Sequence, residues 1–153
     1  MQLSLCAVGK KMPGWVKHGV DEYQKRLPRQ WQFRVAEVNQ ANLGTAELNK
    51  AKEATTLLAS VPDKSHVIAL DNRGAHWSTT DLATQVQSWQ ELGKPVCLLV
   101  GGPDGLHTSC IEQSSQQWSL SALTFPHPLV RVLVVEQLYR AHSLLINHPY
   151  HRA

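Results

Sequence analysis

The sequence predicts an α/β fold, a mostly parallel sheet with helices on both faces, and three observations carry that expectation. Short apolar runs alternate with segments of helical period along the whole chain, the pattern of strands joined by helical crossovers. One of those runs, Val96-Cys97-Leu98-Leu99-Val100, is apolar at every position, as a strand buried on both faces must be. Gly101-Gly102-Pro103-Asp104-Gly105 follows it directly, at the carboxyl edge where open α/β sheets hold ligands.

Taken in order, Gln2 to Val8 reads as a short buried strand, closed by Gly9 and a Lys10-Lys11 pair. From Trp15 to Leu27, the residues Trp15, Val16, Val20, Tyr23 and Leu27 recur at helical spacing, and Pro28 ends the helix. Trp31 to Val38 alternates in part, through Phe33, Val35 and Val38, and suits a second strand. Thr45 can cap a helix whose stripe of Ala46, Leu48, Ala51, Ala54, Leu57 and Leu58 reaches about Ala59. His66 to Leu70 is a third strand, and Asp71-Asn72-Arg73-Gly74 has the composition of a turn. Ser78 to Asp81 offers caps for a helix with Leu82, Val86, Trp89 and Leu92 on one face, terminated by Gly93. Beyond the glycine turn, a short helix around Ser109 to Ser115 leads to a strand near Trp118 to Leu120. The last helix runs from about Leu129 to Ile146.

No repeat, low-complexity segment or linker divides residues 1–153, so one domain is expected. A hydrophobic content of 42% with 18% charged residues is that of an ordinary globular protein with a real core. No stretch approaches the roughly 20 apolar residues of a membrane span. Met1-Gln2-Leu3-Ser4-Leu5 lacks the basic segment of a signal peptide, so the expectation is cytoplasmic, with no membrane partner. The three cysteines are too scattered for a disulfide framework or a metal pattern, and Cys6 and Cys97 read as core residues. A net charge of +3 permits a nucleic-acid partner without requiring one. Lys10, Lys11, Lys17, His18, Lys25, Arg26 and Arg29 make the N-terminal region basic, which suits RNA phosphates or simply a solvated face. The last helix carries more apolar residues than one stripe: it is either central in the monomer or covered by a second subunit, and a symmetric dimer is the favoured expectation.

Chemistry can reside in three segments. Gly101, Gly102 and Gly105 let the backbone approach a ligand, although their order is neither GxGxxG nor a P-loop. Leu120-Ser121-Ala122-Leu123-Thr124-Phe125-Pro126-His127-Pro128 is a stiff stretch able to present backbone groups to a planar ligand. The C-terminal Asn147-His148-Pro149-Tyr150-His151-Arg152 crowds a phenol, two imidazoles and a guanidinium together. No carboxylate or cysteine stands near them, so no metal is expected there.

Together these segments resemble the SPOUT-class methyltransferases, and within them the RlmH family, small enzymes that methylate N3 of a pseudouridine in 23S rRNA. The likeness includes Val8-Gly9-Lys10 and Leu70-Asp71 with Gly74, and is densest after Gly101. It implies a C-terminal trefoil knot, a homodimer and S-adenosylmethionine as methyl donor, with no metal. By match to the motifs, Leu70, Gly101, Gly102, Gly105 and Leu120, Ser121, Ala122, Leu123, Thr124 and Phe125 would form the cofactor site, shaped in part by Pro126. Tyr150, His151 and Arg152 would serve substrate engagement or transfer: His151 and Tyr150 would aid loss of the N3 proton, with no single acceptor assigned, and Arg152 would hold a phosphate or stabilise the developing base anion. The substrate implied is pseudouridine 1915 of 23S rRNA in the assembled ribosome. The alternatives are a ribosome-associated factor without catalysis and a SPOUT enzyme modifying tRNA or another rRNA nucleotide.

Overall fold

Thr45 and Ser78 cap the helices that follow them. The Thr45 hydroxyl accepts from the Leu48 N–H at 3.2 Å, and Ser78 forms a reciprocal capping box with Asp81, each bond 3.0 Å. In the computed structural model, which describes residues 1–152, the order is β1 (Leu3–Val8), α1 (Gly14–Gln24), a 3-10 turn (Arg29–Trp31), β2 (Arg34–Val38), α2 (Ala46–Ala59), β3 (His66–His76), α3 (Thr79–Glu91), β4 (Val96–Val100), α4 (Thr108–Glu112), β5 (Gln116–Ser119) and α5 (His127–Leu145).

The strands form one five-stranded sheet in the order β2-β1-β4-β3-β5, and every pairing is parallel. Alternate side chains divide the core between its two faces. Leu3, Leu5, Ala7, Ile68, Val96, Leu98 and Val100 meet α1, α3 and α5 on one face, while Cys6, Val8, Val67, Ala69, Cys97 and Leu99 meet α2 and α4 on the other. Cys6 and Cys97 are fully buried, as expected, with sulfurs 3.1 Å apart.

Three expectations need correction. Residues Trp31 to Phe33 are not strand: the 3-10 turn ends at Gln32, whose φ of +46° breaks an extended path. Asp71 to Gly74 does not end the third strand. Leu70 and Ala75 both pair with Trp118, so four residues loop out as a bulge and β3 continues to His76. The turn composition still has a local cause, because the Asp71 carboxylate accepts from the Arg73 N–H at 2.8 Å. Leu92 lies outside the buried face of α3, at 40% exposure, as the helix C-cap.

Helix α5 lies between α1 and α3, with Val134, Val135, Leu138 and Ala141 fully buried. Leu129, Val130, Val132, Leu133, Leu144 and Leu145 are only partly covered and Ile146 is 56% exposed, so its central place accounts for part of its apolar excess. Arg131 is the buried charged residue of α5, at 2% exposure. It pairs with Glu37 of β2 and donates to the carbonyls of Val8 (3.0 Å) and Gly9 (2.7 Å), fastening the end of β1 to α5. Among the described residues no helix is long and apolar enough to cross a membrane.

Candidate cofactor and substrate site

The turn after β4 is built for residues without a β-carbon. A Cβ on Gly101 would stand 2.5 Å from the Gly105 carbonyl carbon, and one on Gly102 would stand 3.0 Å from Val8 Cγ1. Gly105 has a φ of +86° and donates to the Gly102 carbonyl at 3.0 Å, closing the turn. Asn49 of α2 holds it from outside by donating to Asp104 at 3.1 Å. Beneath Gly102 lies Glu53, 3% exposed. One carboxylate oxygen accepts from the Ala41 N–H at 3.0 Å and the other has no partner among the described residues, so burial pushes its pKa above the ordinary carboxylate range.

A cavity of about 180 Å³ opens where this turn meets the carboxyl ends of β3 and β5. Leu70, Gly101, Gly102, Gly105, Leu120, Ser121, Leu123, Thr124 and Phe125 line it, which brings together nine of the ten residues read as cofactor-binding; Ala122 is exposed and outside the lining. Ser121 shapes this segment: its carbonyl accepts from the Ser119 hydroxyl and its own hydroxyl accepts from the Leu123 N–H, both at 3.0 Å.

Asp71, Asn72, Val100, Trp118, Ser119, His127 and Val130 also line the cavity and were not singled out as site residues from the sequence. The signal was present for some of them, since Asp71 and Ser119 lie at the carboxyl edge and His127 stands between the two prolines. Arg73, bonded to Asp71 at 3.1 and 3.2 Å, holds that carboxyl below its ordinary range. Burial, then Arg131, pushes the His127 imidazole down and keeps it neutral at pH 7. Trp118 Nε1 and His127 Nδ1 are buried without partners among the described residues. The walls therefore combine apolar surface, unpaired polar atoms and one carboxylate, with no lysine or arginine among the lining residues. Such a site suits an aromatic ligand with a positively charged portion.

The tail lies elsewhere in the same chain. Tyr150 donates to Glu136 at 3.0 Å, packs on Tyr139 with ring centroids 4.7 Å apart, and receives the Arg140 guanidinium over its face at 4.7 Å. Burial and the Glu136 carboxylate push its pKa up to about 12, so the phenol is held as a donor. His151 Nδ1 is 3.4 Å from Arg140, and Arg152 is exposed. Glu136 and Arg140 lie six and ten residues beyond Val130 on α5, roughly 9 and 15 Å at the helical rise. One chain thus does not unite Tyr150, His151 and Arg152 with the cavity. Among the described residues, no group of three or more His, Cys, Asp or Glu side chains is placed to hold a metal.

Comparison with known proteins gives a consistent result. The family model described as "Predicted SPOUT methyltransferase" matches residues 1–151. The chain is 49% identical to a "Ribosomal RNA large subunit methyltransferase H" from Hahella chejuensis, covering 99% of both chains. A protein of the same name from Chromohalobacter salexigens is 50% identical, with 99% of this chain and 100% of that one covered. Among solved structures, a probable methylase family protein from Haemophilus influenzae shares the fold with a TM-score of 0.58 at 12% identity, over 99% of this chain and 70% of that one. A protein from a study of 2-OH methylation of C/U34 on tRNA does so with a TM-score of 0.53 at 14% identity, over 96% and 98%.

Proposed function

The chain belongs to the SPOUT methyltransferase family, and from that premise we propose that it methylates N3 of pseudouridine 1915 in 23S rRNA, with S-adenosylmethionine as donor. The observation that carries the cofactor part is the cavity, whose lining holds no cationic side chain at neutral pH and whose glycine turn brings backbone within reach of a ligand. The donor supplies a methyl group already made electrophilic by its sulfonium. The protein's work is then binding and alignment.

In this reading Leu70, Leu120 and Phe125 enclose the adenine, and the backbone from Ser121 to Thr124 reads its edge. Asp71 faces the positively charged end, and neutral His127 adds no charge to oppose it. The target N3 must lose its proton as the methyl group arrives. His151, whose ring nitrogen can accept a proton, and Arg152, whose guanidinium can face the developing anion, are the groups of the tail suited to that change. Tyr150 orients the tail through Glu136.

Because the tail lies along α5 from the cavity, the reading includes a homodimer in which one chain's tail serves its partner's cavity. The partly covered apolar residues of α5 and exposed Ile146 support that pairing. It also includes a trefoil knot in the C-terminal segment, a cytoplasmic location and the assembled ribosome as substrate. Arg152→Ala tests the division of labour. Cofactor affinity by calorimetry should be unchanged while methyl transfer to ribosomes is lost; unchanged turnover would reject the role given to the tail.

A further inference from the structure

A second cavity, of about 290 Å³, opens between α1 and the edge strand β2. Met12, Val16, Val20 and Val35 give it apolar walls. Lys10 and Lys17 stand exposed at its rim, with Asp21, Gln24 and Glu37 as polar groups around the opening. Arg131 closes it from inside the fold, and the Nε of that guanidinium has no partner among the described residues.

Its position connects it to the first cavity. His127 lines the first and Arg131 lines the second, one helical turn apart on α5, or about 6 Å. Lys10 and Met12, which follow the carboxyl end of β1, line the second cavity, so both cavities have walls at the carboxyl edge of the sheet. A ligand chain with one unit in the first cavity can therefore place a neighbouring unit in the second.

We propose that the second cavity receives an unstacked nucleotide that flanks the target base in the RNA substrate. The inference rests on the RNA-methylation reading and adds a subsite to it. Sequence-specific recognition of RNA depends on splayed bases whose faces meet side chains and whose edges are hydrogen-bonded. Aliphatic walls accept the face of a base. Asp21 and Glu37 accept from its amino groups, and Gln24 can both donate and accept. Lys10 and Lys17 neutralise the adjoining phosphates, and Lys11 continues the positive charge beyond the rim.

The test uses full-length protein, ribosomes lacking the methyl mark and S-adenosylmethionine. The double variant Lys10→Ala/Lys17→Ala should raise the KM for ribosomes about tenfold and flatten the slope of log affinity against log salt by about 1.4, the value for two single-strand phosphate contacts. Val35→Phe, which fills the cavity without changing charge, should raise the same KM and leave the salt slope and cofactor affinity intact. A folded Val35→Phe protein with an unaltered KM overturns the proposal, even if the lysine variant binds more weakly, because the lysines would then act as surface charges alone. Photocrosslinking of the wild-type protein to ribosomes carrying 4-thiouridine reads the site directly. Crosslinks at Met12 or Gln24 support it, whereas crosslinks confined to Leu123 to His127 contradict it. Wild-type protein that crosslinks at Met12 but transfers no methyl group would defeat the enzymatic reading and leave the subsite standing.

Discussion

Replacing Gly101 with alanine should damage the cofactor site more than the fold. The added Cβ would lie 2.5 Å from the Gly105 carbonyl carbon, 2.7 Å from its oxygen and 2.9 Å from the Leu106 nitrogen. All three are backbone atoms, so no rotamer relieves the contact. Restoring ordinary separation, 3.4 Å at the least, moves the two sides of the turn apart by about 0.9 Å. Overpacking of this kind costs about 1–3 kcal/mol, which for a domain of this size lowers Tm by about 2–10 °C. The same displacement falls on a cavity formed by Gly101, Gly102 and Gly105, and a misplacement near 1 Å can cost about 100-fold in turnover. Calorimetry with S-adenosylmethionine should show affinity weakened at least about tenfold while circular dichroism keeps the folded spectrum. Gly14→Ala is the internal control: nothing lies within 4 Å of its added Cβ, and it should leave affinity unchanged and Tm unchanged or slightly raised. Gly101→Ala protein with wild-type affinity and turnover would refute the account of the turn.

Two further substitutions examine buried charge. Arg131→Met strips donors from the Val8 and Gly9 carbonyls and from Glu37, and should cost about 3 kcal/mol in urea denaturation; a loss below about 0.5 kcal/mol would show the brace to be idle. Glu53 titrates above the ordinary carboxylate range in the folded state, so its ionisation costs stability as pH rises. Glu53→Gln keeps an acceptor for Ala41 and should therefore raise Tm at pH 7, the gain vanishing below roughly pH 4, where the wild-type carboxyl is also neutral. A gain that persists at pH 3 would assign the effect to packing instead.

Much of the architecture was readable because the local patterns agree with the global fold. The fully apolar run at Val96 to Val100 is the buried strand between β1 and β3, and the caps at Thr45 and Ser78 start helices where their side chains demand. What was misread depends on distant partners. Asp71 to Gly74 has turn chemistry and makes an Asx turn, yet pairing of Trp118 with Leu70 and again with Ala75 carries β3 past it. The last helix, expected from about Leu129, starts instead at His127, because proline fits the first turn of a helix. The cofactor segments were legible as glycine and proline patterns. Trp118 was not, because its part in the cavity arises where separate strand ends and α5 converge. The tail's place against Glu136, Tyr139 and Arg140 likewise rests on contacts across the chain reversal after α5, which no local period encodes.

The most direct test of the central claim is mass mapping, at nucleotide resolution, of 23S rRNA from unmethylated ribosomes incubated with this protein and S-adenosylmethionine. The account predicts one added methyl group, on N3 of pseudouridine 1915, dependent on both protein and cofactor. A methyl group on a different nucleotide would contradict the substrate, and rRNA left unchanged by protein that binds the cofactor would contradict the activity itself.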